Sequence, residues 1–164
     1  MGSEQEREFA NFVRGASPRL LKAAWFICGD PVQAEDLVQT ALARVFVRWG
    51  RVRNGDPVAY TRKVLLNLHI DERRRTRRET PVADPPERAV RDTGPEQSDQ
   101  VVRLLAELPL RERQVVVLRH YIGLPESEVA ELLGISLGTV KGSGSRGLAK
   151  LREWYAREEQ SHAV

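Results

Sequence analysis

A single cysteine, Cys28, stands in 164 residues, so neither an intramolecular disulfide nor a cysteine-based metal cage can form. It ends the apolar run that starts at Ala23 and is expected in the core. Histidine is nearly as scarce: His69, His120 and His162 are isolated, with no HExxH pairing to build a metal site. No phosphate-binding glycine loop and no Ser–His–Asp order is visible. The neighbouring carboxylates Glu35 and Asp36 cannot face one another on a helix. An enzyme is therefore not expected, and neither is a cofactor, a metal or a small-molecule substrate. No apolar run approaches the roughly 20 residues of a membrane span, and the polar, acidic start MGSEQEREF does not read as a signal peptide. The expectation is a cytoplasmic protein with no membrane contact. Lysine is rare as well, 4 against 22 arginines, a bias that a G+C-rich coding sequence produces as readily as function does.

The scarcity of acidic residues in two places is more telling. Residues 44–79 hold eleven Lys/Arg against four Asp/Glu, whereas residues 1–43 and 80–97 each sum to −2 and residues 98–164 are neutral. The net charge of +3 thus conceals one concentrated basic stretch, densest in ERRRTRR from Glu72 to Arg78, as a polyanion-binding surface would be. A solvated helix face rich in arginine is the alternative.

The second place is Leu137 to Arg152, with four basic residues and no acidic one. It follows a short amphipathic segment, Glu126 to Leu133, with Val129, Leu132 and Leu133 on one face. Gly134 suits a left-handed helix end, Ile135 is expected to insert into the core, and Ser136 is a good N-cap. The next helix is expected to bury Leu137, Val140, Leu148 and Leu151 and to expose Lys141, Ser145, Arg146 and Lys150. That is the pattern of a helix-turn-helix with a cationic second helix, suited to the DNA major groove.

Four of the nine prolines fall between Pro81 and Pro95. Residues 80–97 therefore read as an extended linker between two small domains, residues 5–79 and 98–157. The first reads as helices. Ser17-Pro18 opens one that runs to Cys28. Asp30-Pro31 opens the next as N-cap and first helical residue, with Ala34, Leu37, Val38, Ala41, Leu42, Val45 and Trp49 at a spacing of three to four and Gly50 as its end. Asp56-Pro57 repeats the start signal for a helix to about Arg78, with Val64, Leu65, Leu68 and Tyr60 facing inward. In the second domain, Val101 to Leu108 and Arg111 to Tyr121 are helices, the latter burying Val115 to Leu118. No convincing strand emerges, and the fold class is all-α.

Two residues stay ambiguous on local grounds. Tyr60 can fill core or stack on an unpaired base. Asn67 lies mid-helix against its propensity, where it either bonds a neighbouring helix or reads a base edge.

The run AEDLVQTALARVFVRW (Ala34 to Trp49) resembles the helix of domain 2 in extracytoplasmic-function sigma factors of bacterial RNA polymerase. AYTRKVLLNLHIDERRR (Ala59 to Arg75) resembles the promoter-opening helix of that domain, and LPLRERQVVVLRHYIGLPESEVAELLGISLGTVK (Leu108 to Lys141) resembles domain 4. The combination of DLVQ, LPxxER and GTVK in order is the specific part, and details of the first two runs look most like the SigE-type branch common in actinobacteria. The resemblance implies two small helical domains, a sigma-2-like bundle and a sigma-4-like helix-turn-helix, joined by the proline-rich linker. It implies a cytoplasmic, nucleoid-associated promoter-specificity subunit whose partners are core RNA polymerase (beta and beta-prime subunits), promoter DNA and an anti-sigma factor that no residue here identifies.

By the same resemblance Asp36, Leu37, Gln39 and Arg44 would contact the polymerase clamp. Tyr60, Lys63 and Asn67, with Arg74 and Arg75, would hold the melted −10 strand. Thr139, Lys141, Gly142, Ser145 and Arg146 would read the −35 duplex. An amide offers donors and an acceptor to a base edge, and strand binding offsets unpairing costs of about 1.4 kcal/mol per step. Gly142 and Gly144 depart from the family's helix-forming run after GTVK. At about 1 kcal/mol each relative to alanine, they imply a frayed recognition helix and looser −35 reading. The competing reading is a stand-alone helix-turn-helix regulator that dimerises on duplex DNA. An RNA-binding protein lacks any recognised module.

Overall fold

The computed structural model describes residues 2–79 and 96–162. Two compact units divide the chain, residues 1–88 and 89–164. The described residues are helical apart from their connections and contain no strand. Of the linker expected at residues 80–97, residues 80–95 lie outside the described residues, and Glu96 and Gln97 already belong to the first helix of the second unit.

The first unit is built from α1 (Ser3–Cys28), α2 (Pro31–Val47), the short α3 (Trp49–Val52) and α4 (Pro57–Glu79), with α1, α2 and α4 packed mutually. The expected start at Ser17-Pro18 is wrong: α1 begins at Ser3 and passes through Pro18. Proline withdraws one amide donor, and Ser17 Oγ turns back to donate to Val13 O at 2.5 Å. Burial of Ala16, Leu20, Ala23, Ala24 and Ile27 along one face holds the helix together where propensity would break it. At its end Gly29 takes φ 72°, and Cys28 is core, as expected. Asp30 caps α2 by accepting from Val32 N at 2.9 Å.

Gly50 does not end α2. The helix stops at Arg48 (φ −107°, ψ 14°), whose carbonyl accepts from the Arg51 and Val52 amides and so starts α3. This turn carries Trp49 and Val52 together into a cluster with Val45, against which Phe9, Phe12 and Tyr60 pack. The Trp49 indole lies 5.2 Å, centroid to centroid, from both Phe rings. Asp56 accepts from Ala59 N at 3.1 Å to begin α4. On α4 the buried set is Thr61, Leu65, Leu66, His69 and Ile70, while Val64, Leu68 and Tyr60 are only half-buried. The inward stripe lies one position off the expected one, because α4 faces α1 and α2 at once.

The second unit comprises α5 (Glu96–Glu107), α6 (Leu110–Val116), a π-helical stretch (Val117–Ile122), α7 (Glu126–Leu133) and α8 (Leu137–His162). The helix expected from Arg111 to Tyr121 thus changes pitch at Val117. Gly123, at φ 87°, sends its N–H to Leu118 O, five residues back, and Leu124 N follows to the same oxygen, which widens the last turn. Val115 to Leu118 are buried as expected. Gly134 is left-handed at φ 66°, and Ser136 Oγ accepts from Thr139 N at 3.1 Å, so the turn between α7 and α8 forms as anticipated.

The buried face of α8 differs. Leu137 is 45% exposed, Ile135, Leu148 and Leu151 are half-buried, and the deeply buried positions are Val140, Ser143 and Gly147. α8 packs on α6 through small residues, so the backbones approach closely and large side chains are pushed to the flanks. A Cβ on Gly147 would come within 2.7 Å of Val116 Cγ2, and one on Gly144 would meet Val115 Cγ1 at 3.4 Å. The expected fraying is absent: α8 runs unbroken through Gly142 and Gly144, because tertiary packing outweighs propensity.

Joint substitution Gly142→Ala and Gly144→Ala should raise the Tm of this unit by several degrees, since about 1 kcal/mol is recovered per site and neither Cβ meets a rigid obstacle. Gly147→Ala should lower it, because overpacking costs of about 1–3 kcal/mol outweigh that gain. Calorimetric scans of the three proteins decide both statements.

Candidate nucleic-acid interface

On α4, Tyr60, Lys63 and Asn67 follow at intervals of three and four, so they share a face. Tyr60 is the half-buried anchor. Its ring leans on the Trp49 cluster, and its hydroxyl accepts from Arg48 Nη1 at 3.4 Å. Tyr60 is therefore neither fully core nor fully exposed: it packs against the cluster and keeps part of its surface accessible. Asn67 is exposed on the surface, so of its two readings the inter-helix bond is the one that fails.

Two shallow grooves meet at Tyr60. One is lined by Arg48, Arg51, Val52, Asp56, Tyr60 and Lys63. The other is lined by Arg44, Val47, Arg48, Tyr60, Val64 and Asn67 and contains no acidic side chain. Together they form a cationic face carrying one aromatic ring, one free-standing amide and an apolar wall in which Val47 is 80% exposed. Such a face suits the phosphates and unstacked bases of a single strand. Arg48 and Arg51 were not singled out in the sequence. The charge excess of residues 44–79 contained them, but only the turn at Arg48 brings them beside Tyr60. Arg74 and Arg75 are exposed further along α4. The side chains of Arg77 and Arg78 lie outside the described residues.

A different groove separates α2 from the distal half of α4. It is lined by Asp36, Leu37, Thr40 and Arg44 on one side and by Leu68, Asp71, Glu72 and Arg75 on the other, with Gln33 at its end. Acidic and basic side chains are mixed there, a balance that fits a protein surface better than a polyanion. It gathers Asp36 and Arg44, whereas Gln39 is exposed elsewhere on α2. Leu37 is 6% exposed and belongs mainly to the core; Ala34, Ala41 and Val45, which lie at intervals of three and four along the same face, are buried with it. Arg44 lines both the mixed groove and the cationic one.

The loop bearing Asp56 is tethered by Arg53, which makes a two-pronged ion pair with Glu8 of α1, Nε to Oε1 at 2.9 Å and Nη2 to Oε2 at 2.7 Å. The hydrogen bonds from Arg53 hold the Glu8 carboxyl below its ordinary value of 4.5.

In the second unit Lys141, Ser145 and Arg146 are exposed along α8 and Gly142 is half-exposed. The Thr139 hydroxyl shares a 2.8 Å hydrogen bond with Ser136 Oγ, so it is partly occupied by the helix cap. Arg146 Nε donates to Glu112 Oε1 of α6 at 3.3 Å, and Lys150 Nζ donates to Glu112 Oε2 at 2.9 Å.

A cationic, aromatic-bearing helical unit followed by a helix-turn-helix unit is the architecture of a sigma-type transcription initiation factor. Residues 12–79 match sigma-70 region 2 and residues 98–151 match sigma-70 region 4. The RNA polymerase sigma-E factor of Streptomyces coelicolor is 39% identical over 150 residues, spanning 89% of this chain and 85% of that protein. The sigma-E factor of Streptomyces antibioticus is 37% identical over 159 residues, spanning 93% and 87%. The chain belongs to the extracytoplasmic-function sigma factors of RNA polymerase. Among solved structures, the sigma factor RpoE of Bartonella quintana, in complex with the anti-sigma factor NepR, aligns with a TM-score of 0.59 at 21% identity, covering 90% of this chain and 96% of that one. CnrH, in complex with the cytosolic domain of CnrY, aligns with 0.58 at 24% identity, covering 93% and 90%. At these identities the likeness speaks for the fold.

The lowered Glu8 pKa carries a sign. The folded state holds the proton less tightly than the unfolded one, so the ion pair's contribution is complete above pH 4.5 and is lost as pH falls through the depressed folded value. Glu8→Gln should therefore melt below wild type at pH 7, with the gap closing as the pH is lowered past 4.5. Circular-dichroism melts across that range check it; a gap that widens in acid contradicts the assignment.

Proposed function

We propose that the two faces of the first unit divide the work of a promoter-specificity subunit. The mixed-charge groove, with Asp36 and Arg44, engages the core enzyme through its beta-prime and beta subunits. The cationic face, with Tyr60, Lys63 and Asn67, holds the unpaired −10 strand, and Arg74 and Arg75 anchor its phosphates. In the second unit Lys141, Ser145 and Arg146, with Thr139 and Gly142, meet the −35 duplex in the major groove. The domains assigned to these tasks are residues 5–79 and 98–157, with residues 80–97 between them. The protein acts by binding alone, in the cytoplasm on the chromosome, and an anti-sigma factor is its natural inhibitor, as NepR is the partner of the Bartonella sigma factor.

The observation that supports this reading most is the exposed amide of Asn67, two turns along α4 from a tyrosine with an accessible ring and surrounded by Arg44, Arg48 and Tyr60. A solvent-facing asparagine in mid-helix is locally unfavourable. Its donors and acceptor match an extruded base edge, the cations neutralise the flanking phosphates, and the ring supplies a stacking surface. Energy released on capturing the strand offsets unpairing, so no nucleotide hydrolysis is required.

Core-enzyme pull-down tests the assignment as a whole; tight operator binding without core would replace it with a stand-alone regulator. Asn67→Ala should reduce open-complex formation about tenfold, the worth of one good base contact, while leaving holoenzyme assembly intact; permanganate footprinting and native gels separate the two. Arg74→Ala with Arg75→Ala should lower the salt dependence of promoter binding by about one to two units of slope, measured by fluorescence anisotropy at several salt concentrations.

A further inference from the structure

Lys141, Arg146, Lys150 and Arg152 are the basic side chains of α8 between Leu137 and Arg152. Arg146 and Lys150 are already engaged within the protein. Arg146 Nε donates to Glu112 Oε1 of α6 at 3.3 Å, and Lys150 Nζ donates to Glu112 Oε2 at 2.9 Å. The Arg146 guanidinium is also folded back along its own helix. Its Nη2 donates to Ser143 Oγ at 3.4 Å, and Nη1 lies over Gly142, 3.1 Å from where a Cβ would stand. Side chains on helices lean in this direction, and the missing Cβ leaves room for the retracted position. Lys141, nearer the start of α8, is exposed and stands outside this cluster.

Glu112 is the fixed point of this arrangement. Its side chain is only 9% exposed, whereas both cations are more than half exposed. A carboxylate so enclosed keeps its place, and its charge-assisted bonds are screened less by salt than those of a surface pair. Parting the cations from it strands a buried, uncompensated charge, which is strongly unfavourable. Arg146 and Lys150 must therefore leave Glu112 before they can bind another anion, and the carboxylate repels any phosphate that approaches them. Position along the helix matters as well. Lys150 lies nine residues beyond Lys141, about 14 Å along the axis, whereas the base-contacting residues of such a helix sit towards its N-terminal end.

We propose that Glu112 is a specificity-determining residue of the second unit: it withholds Arg146 and Lys150 from sequence-blind contact with DNA phosphates. Non-specific duplex binding depends almost wholly on such contacts. Engaging two cations of α8 internally lowers it, while Lys141 at the N-terminal end of the helix stays available to bases. The ratio of specific to non-specific affinity, which decides occupancy among many competing sites, rises accordingly. This rests on the assignment of the second unit to −35 DNA and narrows it: Arg146 lies beside the duplex but remains with Glu112.

Fluorescence anisotropy of the full chain on a duplex without promoter sequence, at several salt concentrations, tests this. Glu112→Gln should raise affinity about tenfold at about 0.1 M salt and steepen the salt slope by about one to two. Arg146→Gln with Lys150→Gln, whose amides still donate to Glu112, should change neither quantity in the wild-type background and should cancel both gains when added to Glu112→Gln. A purely structural ion pair does not produce this pattern, since loosened packing weakens binding. A folded Glu112→Gln protein with no gain overturns the proposal. Should that variant fail to fold, the paired glutamine variant decides: an unchanged slope supports the proposal, and a slope lowered by about one to two means that both cations already sit on phosphates and overturns it. Wild-type holoenzyme on a promoter fragment selected by run-off transcription tests the underlying assignment separately. Scrambling the −35 duplex should weaken binding; no loss overturns the assignment and the proposal together, whereas a loss without any gain in Glu112→Gln overturns the proposal alone.

Discussion

Burial of the Trp49 indole is the constraint on which the first unit depends. The ring is 2% exposed and lies against Phe9 and Phe12 of α1, in a cluster with Val45 and Val52 on which Tyr60 of α4 also packs. Helices α1 and α4 therefore both converge on the short turn that carries it. The backbone accommodates it by leaving helical geometry at Arg48, and this departure has consequences at the surface. It directs the Arg48 guanidinium to the Tyr60 hydroxyl and sets Arg48 and Arg51 on the rim of the groove beside Lys63. An aromatic core of this kind contributes packing and edge-to-face ring contacts, and here it also fixes the angle of the one ring that stays partly open.

The second unit is organised differently. Its central contact is a close approach of α6 and α8 through Gly144, Gly147 and Ser143. Small residues there bring the Glu112 carboxylate within reach of Arg146 and Lys150. A larger residue at 147 would part the helices and break that reach. The cost in helix propensity is therefore coupled to the placement of charged groups along α8, and packing in the interior sets electrostatics at the surface.

Charge distribution separates the surfaces of the first unit. Arg44 stands between a mixed-charge groove and a purely cationic one. A folded protein partner matches alternating charges, whereas a polyanion demands one sign. The two grooves adjoin, and a single arginine, Arg44, belongs to both.

Much of this was legible in the chain. Asp30-Pro31, Asp56-Pro57, Gly134 and Ser136 mark helix boundaries by local chemistry: a carboxylate or hydroxyl satisfies free amides, proline needs none, and glycine tolerates positive φ. These signals act over four residues and read correctly. The cationic stretch of residues 44–79 and the exposed basic residues of α8 are likewise written in composition. Boundaries failed where packing overruled local preference: α1 runs through Pro18, α2 breaks before Gly50, and the helix after Pro109 widens at Val117. The inward stripes of α4 and α8 were misread for the same reason, because which face is buried depends on how many neighbours a helix has and how closely they approach. Leu37 is 6% exposed yet still lines the mixed-charge groove; Arg48 passed unnoticed and lines both grooves of the cationic face.

Sequence alone determined the helical class, the caps and the places where positive charge collects, because each arises from neighbours along the chain. Tertiary structure decided which members of those charged runs share a groove, that the Asn67 amide stands clear of the helices beside it, and that the Arg146 guanidinium lies over Gly142. Those outcomes are set by distances between residues far apart in the chain, such as 112 and 146, and no local pattern encodes a distance of that kind.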